Sequence, residues 1–459
     1  MIEPLEHIST PTRRLSDYVA GALARPLPAA VIEKARHHVL DTFAAMVSGT
    51  TLHPGGIAIS YVEALGGADE ASVVGTRLRT STINAALANG MLAHADETDD
   101  SHAPSRTHPG CAVIPAALAI AERTRASGEQ FLRAVVLGYD VCTRVNHALG
   151  ADALAAAARS THSFGGVFGA GAAAGAFLAL DAVKVRHLLS YCAQQASGVA
   201  CNVRDSEHIE KAFDFGGMPA RNGVAAATMV GHGFTGVDDV FSGERNFLGA
   251  FSASPNPAQL AEALGERFDI LGTNIKKWSV GSPAQAALDA LSCLMETTPF
   301  AASTVAAIRV HLPARSARAV DNAPMPDINV QHLVALLLTD RGLTFQSVHD
   351  RARMHDPAVV GIRRLVELVP SEELMQAQPP RQAIVEVTLH DRRTLVHRTR
   401  AVRGTADNPM TRAEVEAKAL DLMSGVLGAI RAQELVEAVR TIEYNRDIGE
   451  LCRYWQPAS

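Results

Sequence analysis

The run His94-Ala95-Asp96-Glu97-Thr98-Asp99-Asp100-Ser101-His102, closed by Thr107-His108-Pro109-Gly110, concentrates acids, hydroxyls and imidazoles more densely than a core or an ordinary surface loop requires. Carboxylates beside imidazoles are the groups that move protons or hold metal ions. Residue type alone leaves three readings open. Acid–base catalysis on a small molecule leads, because histidine titrates near neutral pH. A divalent-metal site with Asp99, Asp100, His102 and His108 as ligands is the second. A solvated loop that caps helices is the third.

Three further islands carry chemistry-bearing residues. His162 lies in Ser160-Thr161-His162-Ser163-Phe164-Gly165-Gly166, whose hydroxyls suit a helix start, and a helix N-terminus attracts anions. A lone histidine is more often structural. Lys211 sits in Glu210-Lys211-Ala212-Phe213-Asp214-Phe215, and Lys276 and Lys277 in Asn274-Ile275-Lys276-Lys277-Trp278-Ser279-Val280-Gly281-Ser282-Pro283. A lysine among apolar residues either snorkels to water or anchors a carboxylate.

The elements that must position these groups read mostly as helices. Val31–Met46, Ser81–Leu92, Ile114–Ala126 and Glu129–Val145 are apolar at helical spacing. The polar run therefore falls between two helices, as an active site would. Phe164–Leu180 is rich in Gly and Ala. It lacks the Gly-Lys-Ser/Thr of a phosphate loop and reads as a buried helix packed closely through small residues. After the loop Ser252–Pro257 the character changes. Ala306–Leu312 alternates as a half-buried strand, and Ile384–Leu389 and Thr394–Arg400 read as a hairpin. Helical segments at Asn329–Thr339 and Val359–Val369 lie between them. Thr411 and Glu414 then form a capping-box signature before a helical face of Val415, Ala419, Leu422, Val426 and Ile430. The expected architecture is mainly α. A large all-helical domain is built from 1–269 and 405–459, with a smaller α+β domain inserted at 270–404.

With 459 residues the chain is too long for one simple core, which agrees with two domains. A net charge of −6 argues against a general nucleic-acid or membrane-surface role, so neither partner is expected. The opening Met1-Ile2-Glu3-Pro4-Leu5-Glu6 has no basic or apolar region of a signal peptide. The six cysteines form no CxxC pair, which speaks against zinc ribbons and iron–sulfur clusters and suits reduced thiols in a cytoplasmic protein.

These four islands, in this order, resemble the MmgE/PrpD family. Supporting pieces run through the chain. They are Leu27-Pro28, Leu40-Asp41-Thr42, Asn89-Gly90, His94-Ala95, Asp99-Asp100-Ser101, His108-Pro109, Val113–Ala117, Gln195-Ala196-Ser197-Gly198, Arg221-Asn222-Gly223, Gly233-Phe234-Thr235-Gly236 and Lys418. The resemblance implies a helical domain made from both chain ends, an inserted α+β lid and a homodimer. It implies a small polycarboxylate substrate and chemistry without metal or organic cofactor. It places the catalytic residues at His108 and His162, with Glu97 standing where the family has an aspartate and Ser101 where it has a threonine. The carboxylate-anchoring lysines fall on Lys211 and Lys276. The family's decarboxylase carries a histidine where this chain has Gly281, which argues against cis-aconitate decarboxylation and leaves Ser282 and Gln285 as hydrogen-bonding replacements. The expected reaction is dehydration of a hydroxy-polycarboxylate of the 2-methylcitrate kind. Decarboxylation, epimerisation on the same two-base layout and ligand binding without catalysis are the alternatives. In that chemistry His108 and His162 share the acid and base roles in either order, and Glu97 orients His108.

Overall fold

The structure, a computed structural model, describes residues 8–457. The opening Met1–Glu6, expected to carry no signal peptide, lies outside the described residues. The fold is mainly α with a smaller α+β part. Contacts divide it into two units. The first holds the described residues up to Thr273 and from Leu422 onward, and the second is Asn274–Asp421.

In the first unit, local chemistry sets the helix starts. Ser81 Oγ accepts the Asn84 N–H to begin Thr82–Ala93, and Pro109 opens Pro109–Thr124 where its missing N–H costs nothing. Ser127 and Gln130 cap Gly128–Leu149 reciprocally. Ser160 caps Thr161–Ala176, the Gly/Ala-rich helix, which packs backbone against backbone. A Cβ on Gly169 would meet the Gly138 carbonyl at 2.6 Å, so the small residues are there for close approach. A two-residue ribbon, Ala71–Ser72 against Arg79–Thr80, is the one paired strand element described in this unit and was not expected. Helix Ala429–Arg440 and the turns after it pack on Ala29–Gly49, Gly128–Leu149 and Pro109–Thr124, which returns the chain's end to the helical core.

The second unit carries a four-stranded sheet in the order Val366–Ser371, Val305–Pro313, Ala383–Leu389, Thr394–Thr399. The last two form the expected antiparallel hairpin. Ile308, Val310, Leu312, Val385 and Val387 point inward on alternate positions and meet helices Ser282–Thr297 and Val330–Asp340. Thr411 and Glu414 make the expected reciprocal cap ahead of Arg412–Leu427. One expectation needs correction. The helix expected over Val359–Val369 stops at Arg363, and Val366–Ser371 is a strand parallel to Val305–Pro313. A short apolar run reads equally well either way, and a pairing partner far along the chain decided it.

Among the described residues no helix is long and apolar enough to cross a membrane. The six cysteines are free thiols, with Cys111, Cys142 and Cys192 buried.

Candidate active site

The polar run is buried almost throughout, between helices Thr82–Ala93 and Pro109–Thr124. Two of its three aspartates, Asp99 and Asp100, do different work. Asp100 anchors the loop, accepting from the Gly110 N–H at 3.0 Å and from the Tyr139 hydroxyl, with His38 Nδ1 at 2.7 Å. Burial opposes its ionisation, yet the contacts with His38 and Tyr139 hold its carboxyl below the ordinary range. Asp99 instead bridges two imidazoles. Its Oδ2 lies 2.9 Å from His94 Nδ1 and its Oδ1 2.9 Å from His108 Nδ1. A carboxylate on Nδ1 selects the Nδ1–H tautomer, frees the Nε2 lone pair and stabilises the imidazolium that forms when that lone pair takes a proton.

His162 stands in the first turn of Thr161–Ala176. Asn146 ties that turn to the loop, donating from Nδ2 to the carbonyls of Ser105 at 2.9 Å and Thr161 at 2.7 Å. The rings of His108 and His162 are 5.0 Å apart. Burial pushes the His162 pKa well below its ordinary value, and His108, His94 and Lys211 push it further, so this ring is neutral. Its Nδ1 is buried without a hydrogen-bond partner among the described residues.

Phe215 sits among these rings, stacked on His162 at 3.6 Å and on His94 at 4.4 Å, with His108 at 5.4 Å. It belongs to a π-helical segment, Phe213–Gly217, that follows the short helix Ile209–Ala212. A π-bulge turns side chains out of α-helical register and is frequent at functional sites. Here the backbone of helix Thr82–Ala93 touches the bulge directly, since a Cβ on Gly90 would meet the Gly216 carbonyl oxygen at 2.5 Å. Lys211, one turn earlier, has its ammonium 5.3 Å from the Phe215 ring centre and is ion-paired with Glu97. His208 adds a fourth imidazole, 5.1 Å from His94, and burial pushes its pKa down to about 3.

The first unit therefore brings His108, His162, Glu97 and Lys211 into one region, and Ser101 is buried in the same run. The carboxylate on His108 Nδ1 is Asp99, whereas Glu97 pairs with Lys211, so the orienting role expected of Glu97 passes to Asp99. The metal set of Asp99, Asp100, His102 and His108 does not assemble. Asp100 is committed to the anchor, and His102 Nδ1 lies 2.7 Å from Ser105 Oγ. Two other trios do place ligand atoms within 4.8 Å of one another, His94–Asp99–Cys111 and His94–Glu97–His208. Cys111 is a poor ligand, because burial holds it as a thiol that donates to the His108 carbonyl at 3.1 Å. Lys276, Gly281, Ser282 and Gln285 belong to the second unit. Lys276 is buried and Ser282 opens a helix half-buried. Gln285 clamps its own turn, donating to the carbonyls of Trp278 at 2.8 Å and Val280 at 3.0 Å, so both amide hydrogens expected for substrate are occupied. His208 and Phe215 were missed, and so was the bridging by Asp99. A cavity of about 460 Å³ is lined by Ile57, Tyr61, Met91, Glu210 and Phe213 and by none of the four imidazoles.

Residues 13–260 match the MmgE/PrpD N-terminal domain, and residues 278–444 match the MmgE/PrpD C-terminal domain. The chain is 26% identical to a cis-aconitate decarboxylase-like protein, oryM, of Aspergillus oryzae, with 96% of each chain covered. It is also 26% identical to cis-aconitate decarboxylase of Homo sapiens, over 96% of this chain and 93% of that one.

Proposed function

The chain belongs to the MmgE/PrpD family, and from that premise we propose that it is a lyase that removes a proton next to a carboxylate in a small di- or tricarboxylic acid, eliminating water from a hydroxy acid of the 2-methylcitrate type. The observation that carries this reading is the asymmetry of the two facing imidazoles. His108 is backed by the Asp99 carboxylate, while His162 has no carboxylate behind it in the described contacts and is neutral. His108 is therefore the base: its Nε2 takes the α-proton, and Asp99 stabilises the resulting imidazolium. The charge that develops on the substrate carboxylate is met by Lys211, which swings between Glu97 and substrate. His162 keeps its ring neutral and offers an N–H to the departing hydroxyl, as a neutral imidazole can. The proton held by His108 leaves with the hydroxide as water. Ser101 hydrogen-bonds a substrate oxygen.

Decarboxylation of a cis-aconitate-like acid is the second reading, favoured by the names of the two relatives that match nearly end to end. Gly281 speaks against it. The test is a panel of small di- and tricarboxylic acids followed by ultraviolet absorbance for a new conjugated C=C and by CO₂ release. New absorbance without CO₂ supports elimination. CO₂ from an unsaturated acid moves the assignment to decarboxylation, and no change with any acid contradicts both.

A further inference from the structure

His94, Glu97 and His208 each bring one ligand atom to within 4.8 Å of the others, and all three residues are buried. The catalytic layout above uses neither His94 nor His208. Both present a buried Nε2 that has no hydrogen-bond partner among the described residues. Leaving such an atom unpartnered is costly, and an ordered water or a bound ion is what meets it in a native protein. His94 is also prepared for one: the Asp99 carboxylate on its Nδ1 fixes the tautomer that leaves Nε2 as a lone pair, the second-shell arrangement found behind metal-bound histidines. Two imidazoles and one carboxylate, with further positions open, suit a borderline transition metal and not Mg²⁺ or Ca²⁺, which prefer all-oxygen cages. Three atoms within 4.8 Å of one another leave a central point no more than about 2.8 Å from each, so side-chain shifts of under about 1 Å reach zinc bonding distance.

We propose that His94, Glu97 and His208 form a binding site for a zinc-class divalent ion. Lys211 is already ion-paired with Glu97, so a bound ion and the ammonium compete for the charge of one carboxylate. Resting on the function proposed above, the consequence is inhibition: a bound ion holds Glu97 and places positive charge beside His108, where a proton must be accepted.

The experiment uses the full chain stripped with chelator and titrated with Zn²⁺ by calorimetry, and with Co²⁺ by its visible d–d absorption. One ion per chain is expected, with intense low-coordinate Co²⁺ bands and no competition from excess Mg²⁺. His208→Ala and Glu97→Gln each weaken Zn²⁺ binding at least about tenfold, whereas Lys211→Met tightens it by removing the competitor. Circular dichroism of each variant checks the fold, and the three substitutions together keep the test decisive if one of them unfolds. Absence of stoichiometric binding, or binding unchanged in all three variants, overturns the site. Zn²⁺ binding without loss of turnover overturns the inhibitory consequence alone. The Co²⁺ spectrum reads the site without any substrate, so its outcome is independent of whether the proposed reaction is correct.

Discussion

Asp99 holds two imidazoles by their Nδ1 atoms, and this sets the chemistry of the site. An amide in its place cannot stabilise an imidazolium as a carboxylate does. Asp99→Asn is therefore expected to lower kcat on the order of 100-fold with KM little changed, as read by steady-state kinetics. An unchanged kcat would mean that His108 is not the base. Lys211 and Glu97 form a second unit of meaning. Removing the lysine alone takes the counter-charge from a largely buried carboxylate, so Lys211→Ala should cost more stability than Lys211→Ala combined with Glu97→Gln, by about 1–3 kcal/mol in urea unfolding. Equal costs would show that the pair is not coupled. At this scale the sequence was informative where residue types cluster. His94 to His108, His162 and Lys211 announce themselves by chemistry. His208 does not, because Ser206-Glu207-His208-Ile209 is an ordinary surface-like string and nothing local says that it turns inward at a φ of +63°. Nor could spacing decide between Glu97 and Asp99 as the partner of His108, since both lie within reach and only the loop's path selects one.

The π-helical segment Phe213–Gly217 places Phe215 among the imidazoles, and Gly90 and Gly216 let it lie on helix Thr82–Ala93. Each of these two glycines faces the other's backbone, so neither can relax away from an added methyl. Gly90→Ala is expected to destabilise the protein by about 1–3 kcal/mol and to lower activity by displacing Phe215. Thermal melts and kinetics on the same sample check both. A variant of wild-type stability and turnover would contradict the role given to this contact. The α-helices flanking the site were legible from apolar periodicity and caps, and the Gly/Ala helix from its small residues. The π-bulge was not, because it departs from the helical period by one residue that the pattern of Ala212-Phe213-Asp214-Phe215 cannot reveal. The strand Val366–Ser371 was misread for a related reason: it continues the apolar run of helix Pro357–Arg363, and its partner strand lies about sixty residues earlier.

Across the molecule, several imidazoles are buried at a cost to their charged form. Burial lowers His38, His102 and His332 to about 4 and His208 to about 3. Each takes up a proton near 6.5 when unfolded, so the unfolded state binds more protons over that interval and stability falls as pH drops through it. Burial raises Asp140 to about 7 and Asp214 to about 6, and these two act in the opposite sense. The four imidazoles outnumber the two carboxyls, so Tm should decline steadily from about pH 6 to pH 4, and a Tm that rises on acidification would contradict this balance. At this scale the sequence showed the order of helical and α+β parts and an acidic chain of net charge −6. It could not show that a locally cationic lysine would already be paired with Glu97, since that depends on burial. The central claim is that His108, backed by Asp99, takes a proton from the carbon next to a carboxylate. It is tested most directly by proton NMR in heavy water on the reacting acid from the panel, comparing wild type with His108→Asn, whose amide can still reach Asp99. Wild type should exchange that proton for deuterium or lose it with the new C=C, and His108→Asn should do neither while keeping its Tm. Undiminished exchange in the folded variant would contradict the account.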